Sequence, residues 1–204
     1  LSSNCSFDSH SMSISYWYKV PIGGLPNSVS PFSLYNSDDN LKFIQGLWYN
    51  PPLYFGLGFN TTSPISSHMY KTSLNAPSLK QNQWQHIVWT LQSNGTGNQP
   101  TWSFYINNTY IAPTDASNFN TANLLNCTFN YNRIAFASNY SGIHTKGSMK
   151  DFRIYKKALS SDEVNVLWNS GNHLYYNDID IQHSYPDSNL IMHYKFNEGE
   201  GTSI

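Results

Sequence analysis

The carboxylate-bearing residues of the chain are too few and too scattered for hydrolysis by a pair of acids. A glycosidase needs two carboxyl groups on either side of the scissile bond, one as acid and one as nucleophile or base. The glutamates are Glu163, within SSDEV, and Glu198 and Glu200 near the end of the sequence, while Asp151 stands alone within MKDFRIY. The Glu-x-Asp-x-Glu strand motif that supplies such a pair in some enzymes is absent, and no Gly-x-Ser-x-Gly motif is present. The sequence therefore predicts that the chain is not an enzyme.

Metal chemistry has weak support from the residue types. The histidines show neither an i, i+4 pair nor a cysteine at zinc spacing. They are His10, His68, His86, His144, His173, His183 and His193. Because His86 lies inside the strand-like run WQHIVWTL, we interpret it as a packed residue.

Calcium prefers oxygen ligands from loops. The candidate ligands are Asn36, Asp38, Asp39 and Asp151. The alternative for the first three is that they shape a hairpin turn, and for Asp151 that it pairs with Arg153. Calcium is thus a possible cofactor, and the sequence indicates no other.

Sugar recognition would use an aromatic ring against the apolar face of a pyranose and amides against its hydroxyls. The best-placed residues are Trp48, Tyr49, Tyr54, Asn98 and Trp102, which lie near a proline-rich bend or a glycine-rich loop. Aromatic residues make up 16% of the chain, and most of them must fill a core. Each candidate is therefore also open to interpretation as a packing residue.

Asparagine sequons and two cysteines favour an extracellular setting. Six N-x-Ser/Thr acceptors occur, at Asn4, Asn60, Asn94, Asn107, Asn126 and Asn139. A chain this rich in Asn, Ser and Thr forms several sequons by chance. Cys5 and Cys127 either form a disulfide that closes a long loop, worth about 4 kcal/mol, or are two buried thiols; the sequence leaves both open.

The charge argues against binding to nucleic acid, and the lack of a long apolar run argues against a membrane span. Charged residues make up only 11% of the chain and the formal net charge is -1, so the basic excess that binds nucleic acid is missing. No apolar run approaches the length of a membrane span. The first residues, LSSNCSFDSH, do not resemble a signal peptide. We expect that a signal has been removed or that the sequence is an internal piece of a longer chain.

Many short strand-like segments and one late helix indicate an all-β protein. Residues 12–20, MSISYWYKV, alternate with period two, and residues 84–91 form a second strong strand. Asn107-Asn108 between two such segments predicts a two-residue hairpin turn. Residues 115–128 read as a polar loop. Near the end, Ser160 and Glu163 form a capping box for a short helix. A two-sheet antiparallel sandwich with one short C-terminal helix fits this order.

Five segments, taken in chain order, resemble the laminin-G-like, concanavalin A-like jelly roll. They are MSISYWYKV, WQHIVWT, SFYINNTYI, RIAFAS and GSMKDFRIYKKALSSDEVNVLWNSG. The resemblance implies one jelly-roll domain over residues 1–171 whose first strand is missing at the N-terminus. Some enzymes of that fold cleave polysaccharides, and a hydrolase is therefore the alternative function.

The tail NLIMHYKFNEGEG resembles the opening strand of the same family. Residues 172–188 are then a linker, and residues 189–204 either begin a second repeat, which we favour, or donate the missing strand to this or a neighbouring module. The resulting prediction is a non-catalytic extracellular module of a tandem-repeat surface or filament glycoprotein. Its partners would be glycans, extracellular proteins or neighbouring copies of itself.

Overall fold

The computed structural model of the chain describes residues 5–6, 11–23, 28–29, 31–35, 43–49, 54–60, 68–72, 79–92, 94, 101–115, 128–129, 131–134, 146–168, 187–194 and 196. In these residues the strands are β1 (Cys5–Ser6), β2 (Met12–Lys19), β3 (Ser28–Val29), β4 (Phe32–Tyr35), β5 (Phe43–Tyr49), β6 (Tyr54–Asn60), β7 (His68–Thr72), β8 (Trp84–Gln92), β9 (Thr101–Ile106), β10 (Thr109–Ile111), β11 (Pro113–Asp115), β12 (Thr128–Phe129), β13 (Tyr131–Ile134), β14 (Ser148–Tyr155) and β15 (Leu190–Tyr194). One helix, α1, spans Ser161–Trp168.

The described strands form two large sheets and one small pair. Sheet A has the strand order β10-β9-β8-β2-β14-β15. Sheet B has the order β11-β7-β6-β5-β4-β13, with β3 also paired to β5, and β1 pairs separately with β12. The strand pairings are antiparallel. This architecture confirms the predicted all-β, two-sheet sandwich with one short helix.

The core lies between one face of sheet A and sheet B. The alternation predicted for residues 12–20 is confirmed, because Ile14, Tyr16 and Tyr18 are all buried on the core side of β2. Phe32 of β4 reaches them from sheet B, with its ring centroid 5.7 Å from that of Tyr16 and 5.4 Å from that of Phe152 on β14. Aromatic contacts of this kind, each burying a large apolar side chain, fix how the two sheets face each other.

Helix α1 covers part of the other, outer face of sheet A. Val164 and Leu167 are buried there against Val88, Tyr105 and Tyr155 of the sheet. Their spacing of three residues puts both side chains on one stripe of the helix. The helix therefore closes a second, smaller apolar cluster behind sheet A.

The capping box that begins α1 is present as predicted. The Ser160 Oγ accepts a hydrogen bond from the Glu163 N–H at 3.3 Å, and the Glu163 carboxylate accepts one from the Ser160 N–H at 2.9 Å. Lys157 donates to the same carboxylate. Burial would raise the pKa of Glu163, but the contacts with Lys157 and Ser160 outweigh it and hold that pKa below its usual value. The start of the helix is thus fixed by side chains next to it in sequence.

The predicted hairpin turn between β9 and β10 is also confirmed. Asn107 and Asn108 have φ of 51° and 62°, the left-handed pair that a tight two-residue turn requires. The Asn107 Oδ1 accepts a hydrogen bond from the His86 N–H at 2.9 Å, and Asn108 Nδ2 donates to Asn165 Oδ1 of α1 at 2.7 Å. The turn therefore ties sheet A to the helix.

Two sequence expectations differ from the structure. Pro113–Asp115 is a strand on β7 and Thr128–Phe129 pairs with β1, so the ends of the expected loop at 115–128 are paired; such short strands show no period in a sequence. In addition, the mixture of apolar and charged residues in MKDFRIY predicts a strand with one face in water, but Asp151 is only 8% and Arg153 only 5% exposed.

The tail segment lies in sheet A. Residues of β15 pair with β14, with Phe152 opposite Tyr194 and Arg153 opposite His193. The backbone N–H of Lys156 donates to the Asn189 carbonyl at 2.8 Å just before the strand. Leu190–Tyr194 thus occupies an edge of this sheet in the described residues. Whether a second repeat follows stays a prediction.

Candidate functional site

The outer face of sheet A that α1 leaves uncovered carries a row of polar and aromatic residues, and a bulge in β14 shapes it. The pairing of β14 with β2 shifts register between Lys150 and Arg153, and Asp151 adopts a φ of 52° at that point. Asp tolerates the left-handed conformation better than most residues. The bulge adds one residue to β14 and lets Asp151 and Arg153 meet on one side of the sheet.

Asp151 is the centre of a buried ionic cluster. Its Oδ1 accepts a hydrogen bond from Arg153 Nε at 2.8 Å and another from His193 Nε2 at 2.7 Å. Burial alone would raise the pKa of Asp151, but the His193 hydrogen bond and the Arg153 charge outweigh it, so the pKa lies below its usual value. The carboxylate therefore stays ionised and holds β15 to the bulge.

Next to this cluster, His86 lies between a hydroxyl and an indole. Ser15 Oγ is 2.8 Å from His86 Nε2, and the Trp17 ring stacks on the imidazole at a centroid distance of 5.0 Å. Burial lowers the pKa of His86 to about 3, with the charge of Asp151 opposing this and that of Arg153 adding to it. The interpretation of His86 as a packed residue is confirmed.

The distance between Ser15 and His86 is that of a catalytic nucleophile and its base, but their environment does not suit catalysis. Ser15 is 2% and His86 1% exposed, so a substrate has no access to the hydroxyl. Among the described residues, the Nδ1 of His86 has no hydrogen-bond partner to orient it. An imidazole with a pKa of about 3 is also a poor base at neutral pH. The pair serves packing.

Trp84 and two lysines form one accessible part of this face. Trp84 begins β8 opposite Lys19, the last residue of β2. The Nζ of Lys19 lies 5.4 Å, and the Nζ of Lys150 4.8 Å, from the centre of the Trp84 ring. These distances are those of cation–π contacts. All three side chains are half-buried, so their outer surfaces face solvent.

The aromatic residues predicted from the sequence to bind sugar belong to strands of both sheets, with Trp102 on β9 of sheet A and the other three on β5 and β6 of sheet B. Trp102 is 5% exposed and belongs to the core between the sheets, because its position opposite Leu91 faces inward; this corrects the expectation of an accessible ring. Tyr49 and Tyr54 are register partners at the end of the β5–β6 hairpin, and Trp48 pairs with Phe55. Asn98 lies outside the described residues.

Of the four calcium candidates, the structure describes Asp151. Asn36, Asp38 and Asp39 lie outside the described residues. Asp151 already receives hydrogen bonds from Arg153 and His193, so a cation there would have to displace two donors. Among the described residues, no group of three or more His, Cys, Asp or Glu side chains is placed to hold a metal ion.

The predicted modification sites are partly described. Asn94 is exposed and its Nδ2 donates to Thr101 Oγ1 at 3.1 Å, Asn107 lies in the hairpin turn, and Asn60 ends β6. The other acceptors, Asn4, Asn126 and Asn139, lie outside the described residues. Cys5 pairs with Phe129 in the β1–β12 ladder. Cys127 lies outside the described residues, and the disulfide stays a prediction.

Sequence reasoning missed the contacts among Trp84, Lys19 and Lys150. These residues are far apart in the sequence and meet only through the register of β2 with both β8 and β14. One signal was present. Lys19 follows Ser13, Ser15 and Trp17 at period two, which puts it on the outer face of β2.

Comparisons with known proteins agree on the fold. The sequence pattern of the family described as the concanavalin A-like lectin/glucanases superfamily, Laminin_G_3, matches residues 1–165. No curated protein sequence matches the chain.

Among solved structures, the chain is similar to a heptameric pentraxin from Limulus polyphemus, at 16% identity and a TM-score of 0.55 over 79% of this chain and 73% of that one. It is similar to the CBM40 of the Ruminococcus gnavus IT-sialidase bound to α2,3 sialyllactose, at 13% identity and a TM-score of 0.57 over 79% and 83%. It is also similar to the NanB sialidase from Streptococcus pneumoniae, at 12% identity and a TM-score of 0.60 over 81% of this chain but 26% of that one. At these identities the likeness concerns the fold.

Within the part of the chain that the structure describes, no helix has the length and apolar character needed to cross a membrane.

Proposed function

Because the chain belongs to the concanavalin A-like lectin/glucanase superfamily, we propose that it is a non-catalytic carbohydrate-binding module. The observation that carries the proposal is the extent of one structural match. The chain corresponds to 83% of the CBM40 chain, which is bound to α2,3 sialyllactose in that structure, but to 26% of the sialidase chain. Because the match covers most of a chain that is itself a binding module, it supports binding rather than catalysis.

The described side chains support a non-catalytic role. Asp151 is buried in contact with Arg153 and His193, so it is not placed as one of two opposed acids. Ser15 and His86 are covered and His86 is a weak base. One accessible group on sheet A is an aromatic ring with cations beside it, and such a group binds rather than cleaves.

The proposed setting is extracellular, as one unit of a tandem-repeat surface or filament glycoprotein. The sequons, the possible disulfide and the tail that resembles an opening strand support this setting. Extracellular proteins and neighbouring copies are the other partners that such a module would meet. Calcium at residues 36–39 remains part of the proposal as a possible aid to ligand binding.

The proposal is tested on a glycan array with the purified chain. The array is read once with calcium on the order of 1 mM, which suits weak extracellular sites, and once with a chelator. We expect binding to a defined subset of glycans and no release of sugar from soluble polysaccharides. Binding that vanishes with chelator adds calcium to the mechanism. Sugar release establishes the hydrolase alternative, and binding to no glycan together with self-association in sedimentation favours a structural unit.

A further inference from the structure

One end of sheet A concentrates positive charge in a chain that is otherwise almost neutral. Strand β2 ends there at Lys19, and β8 and β14 begin there. Lys80 and Lys146 precede these two strands and are exposed, while Lys19 and Lys150 are half-buried. The whole chain has 11 basic residues and a formal net charge of -1, so four lysines at one strand end form a local excess. We call Lys19, Lys80, Lys146, Lys150 and Trp84 the basic rim.

Hydrogen bonds of the backbone and of the Gln85 side chain hold the rim in place. Gln85 accepts a hydrogen bond from the Lys80 N–H at 3.0 Å and donates one to the Lys80 carbonyl at 3.2 Å. The Asn82 N–H donates to the Val20 carbonyl at 2.8 Å, and Gln81 forms a bridge with Val20. The segment before Trp84 is thereby fixed to the end of β2. Preorganisation of this kind lowers the cost of binding a ligand.

The two lysines that contact Trp84 also affect each other. Burial lowers the pKa of Lys150, the Asp151 carboxylate raises it, and the neighbouring Lys19 charge lowers it again. Asp151 is directed to Arg153 and His193 by hydrogen bonds. An anionic group placed between Lys19 and Lys150 would relieve the repulsion between their like charges. Charge-assisted hydrogen bonds to such a group are stronger than those between neutral groups.

Trp84 and the exposed amides beside it indicate what kind of anion fits. A partly exposed indole offers an apolar surface that suits the carbon–hydrogen face of a sugar ring. Gln81, Asn82 and Gln83 are exposed next to it, and their amides suit hydroxyl groups. Inorganic phosphate would use only the lysines. The combination of cations, ring and amides fits a sugar that carries a carboxylate or a sulfate.

We propose that the basic rim is the glycan-binding site of this module and that it selects saccharides bearing a carboxylate or sulfate group. The proposal rests on the proposed carbohydrate-binding function and adds to it the site and the class of ligand. Lys19 and Lys150 bind the anionic group, and Trp84 contacts the sugar ring. The Lys80–Gln83 segment borders the site.

The test uses the whole chain on a panel in which sialylated, uronic-acid and sulfated saccharides each stand beside their neutral parent, followed by titration of the best binder. The variants are Lys19→Gln, Lys150→Gln and Trp84→Leu. Lys156→Gln is the matched control, because it makes the same charge change beyond the opposite end of β14. Thermal unfolding of each variant shows that it remains folded.

We expect anionic members of the panel to bind more tightly than their neutral parents. Each rim lysine variant should lower that affinity roughly tenfold or more, and Lys156→Gln should leave it within twofold. Affinity should also fall as salt is raised. If glycans bind but Lys19→Gln and Lys150→Gln leave the affinity unchanged, the rim is not the site while the proposed function stands. If neutral parents bind as well as anionic members, the ligand class is wrong. If no saccharide binds, the proposed function fails, and this inference fails with it.

Discussion

Gly147 offers the sharpest test of the structure, because a single methyl group should be incompatible with its position. It lies just before β14 with a φ of +129°, and a Cβ built on it would be 2.5 Å from the Tyr18 hydroxyl oxygen and 2.6 Å from the Lys19 carbonyl oxygen. The Tyr18 hydroxyl donates to the Lys146 carbonyl, and Lys19 pairs with Ser148 in the ladder. The Tyr18 hydroxyl is therefore held by a hydrogen bond and the Lys19 backbone by strand pairing.

The expected cost of Gly147→Ala has two parts. A non-glycine residue at such a positive φ costs about 1–3 kcal/mol, and the overlap with Tyr18 and Lys19 adds about 1–3 kcal/mol. The free energy of unfolding should therefore fall by about 2–6 kcal/mol, a large share of a typical domain's total. Gly23 is the matched control, since its φ is +95° and a Cβ there would meet nothing within 4 Å. Gly23→Ala should therefore carry only the backbone cost of about 1–3 kcal/mol.

Urea denaturation of both variants, followed by tryptophan fluorescence with a common m-value, measures the difference. We expect Gly147→Ala to lose about 2 kcal/mol more than Gly23→Ala. Equal losses in the two variants would refute the close approach of Gly147 to β2, and with it the described start of β14 beside the basic rim.

Three further predictions concern other parts of the chain. Burial lowers the pKa of His86 to about 3, so the stability that depends on the neutral imidazole is complete above the unfolded pKa near 6.5 and falls as the pH is lowered. Between pH 6.5 and 4.5, urea titrations should show that the wild type loses about 2–3 kcal/mol more stability than His86→Gln. Parallel pH profiles of the two proteins would contradict this. Ser160→Ala removes the helix cap and should lower stability by about 1 kcal/mol, whereas Ser161→Ala in the first turn should change it by less than about 0.5 kcal/mol; similar melting temperatures for the two variants would show that the cap is unimportant. Peptide mapping without reductant should find Cys5 linked to Cys127, and alkylation of both thiols in the unreduced, denatured chain would rule the disulfide out.

The sequence was informative wherever a short range of residues determines a structure. The period-two pattern of β2, the Asn107–Asn108 turn and the Ser160–Glu163 cap each depend on neighbours within a few positions, and all three are confirmed. The fold class follows from such local features taken in order.

The candidate site could not be read in the same way. The contact of Lys150 with Trp84 needs the register of β14 on β2 and of β2 on β8, and the bulge at Asp151 changes that register midway. The burial of Trp102 depends on strand register as well. From the sequence, an aromatic residue beside a loop looks accessible, but the register of β9 on β8 places this one in the core.

The position of β15 has a consequence for how the protein is made. Strand β14 is bordered by β2 on one side and by β15 on the other, and β15 is the last strand of the described chain. During synthesis the hydrogen-bonding edge of β14 therefore remains open until Leu190–Tyr194 has left the ribosome. An open strand edge pairs readily with another chain, and domains that await a late segment are exposed to such mispairing. A ribosomal pause after residue 171 should leave a nascent chain with sheet A unfinished, and its yield should depend on how quickly the remaining residues follow.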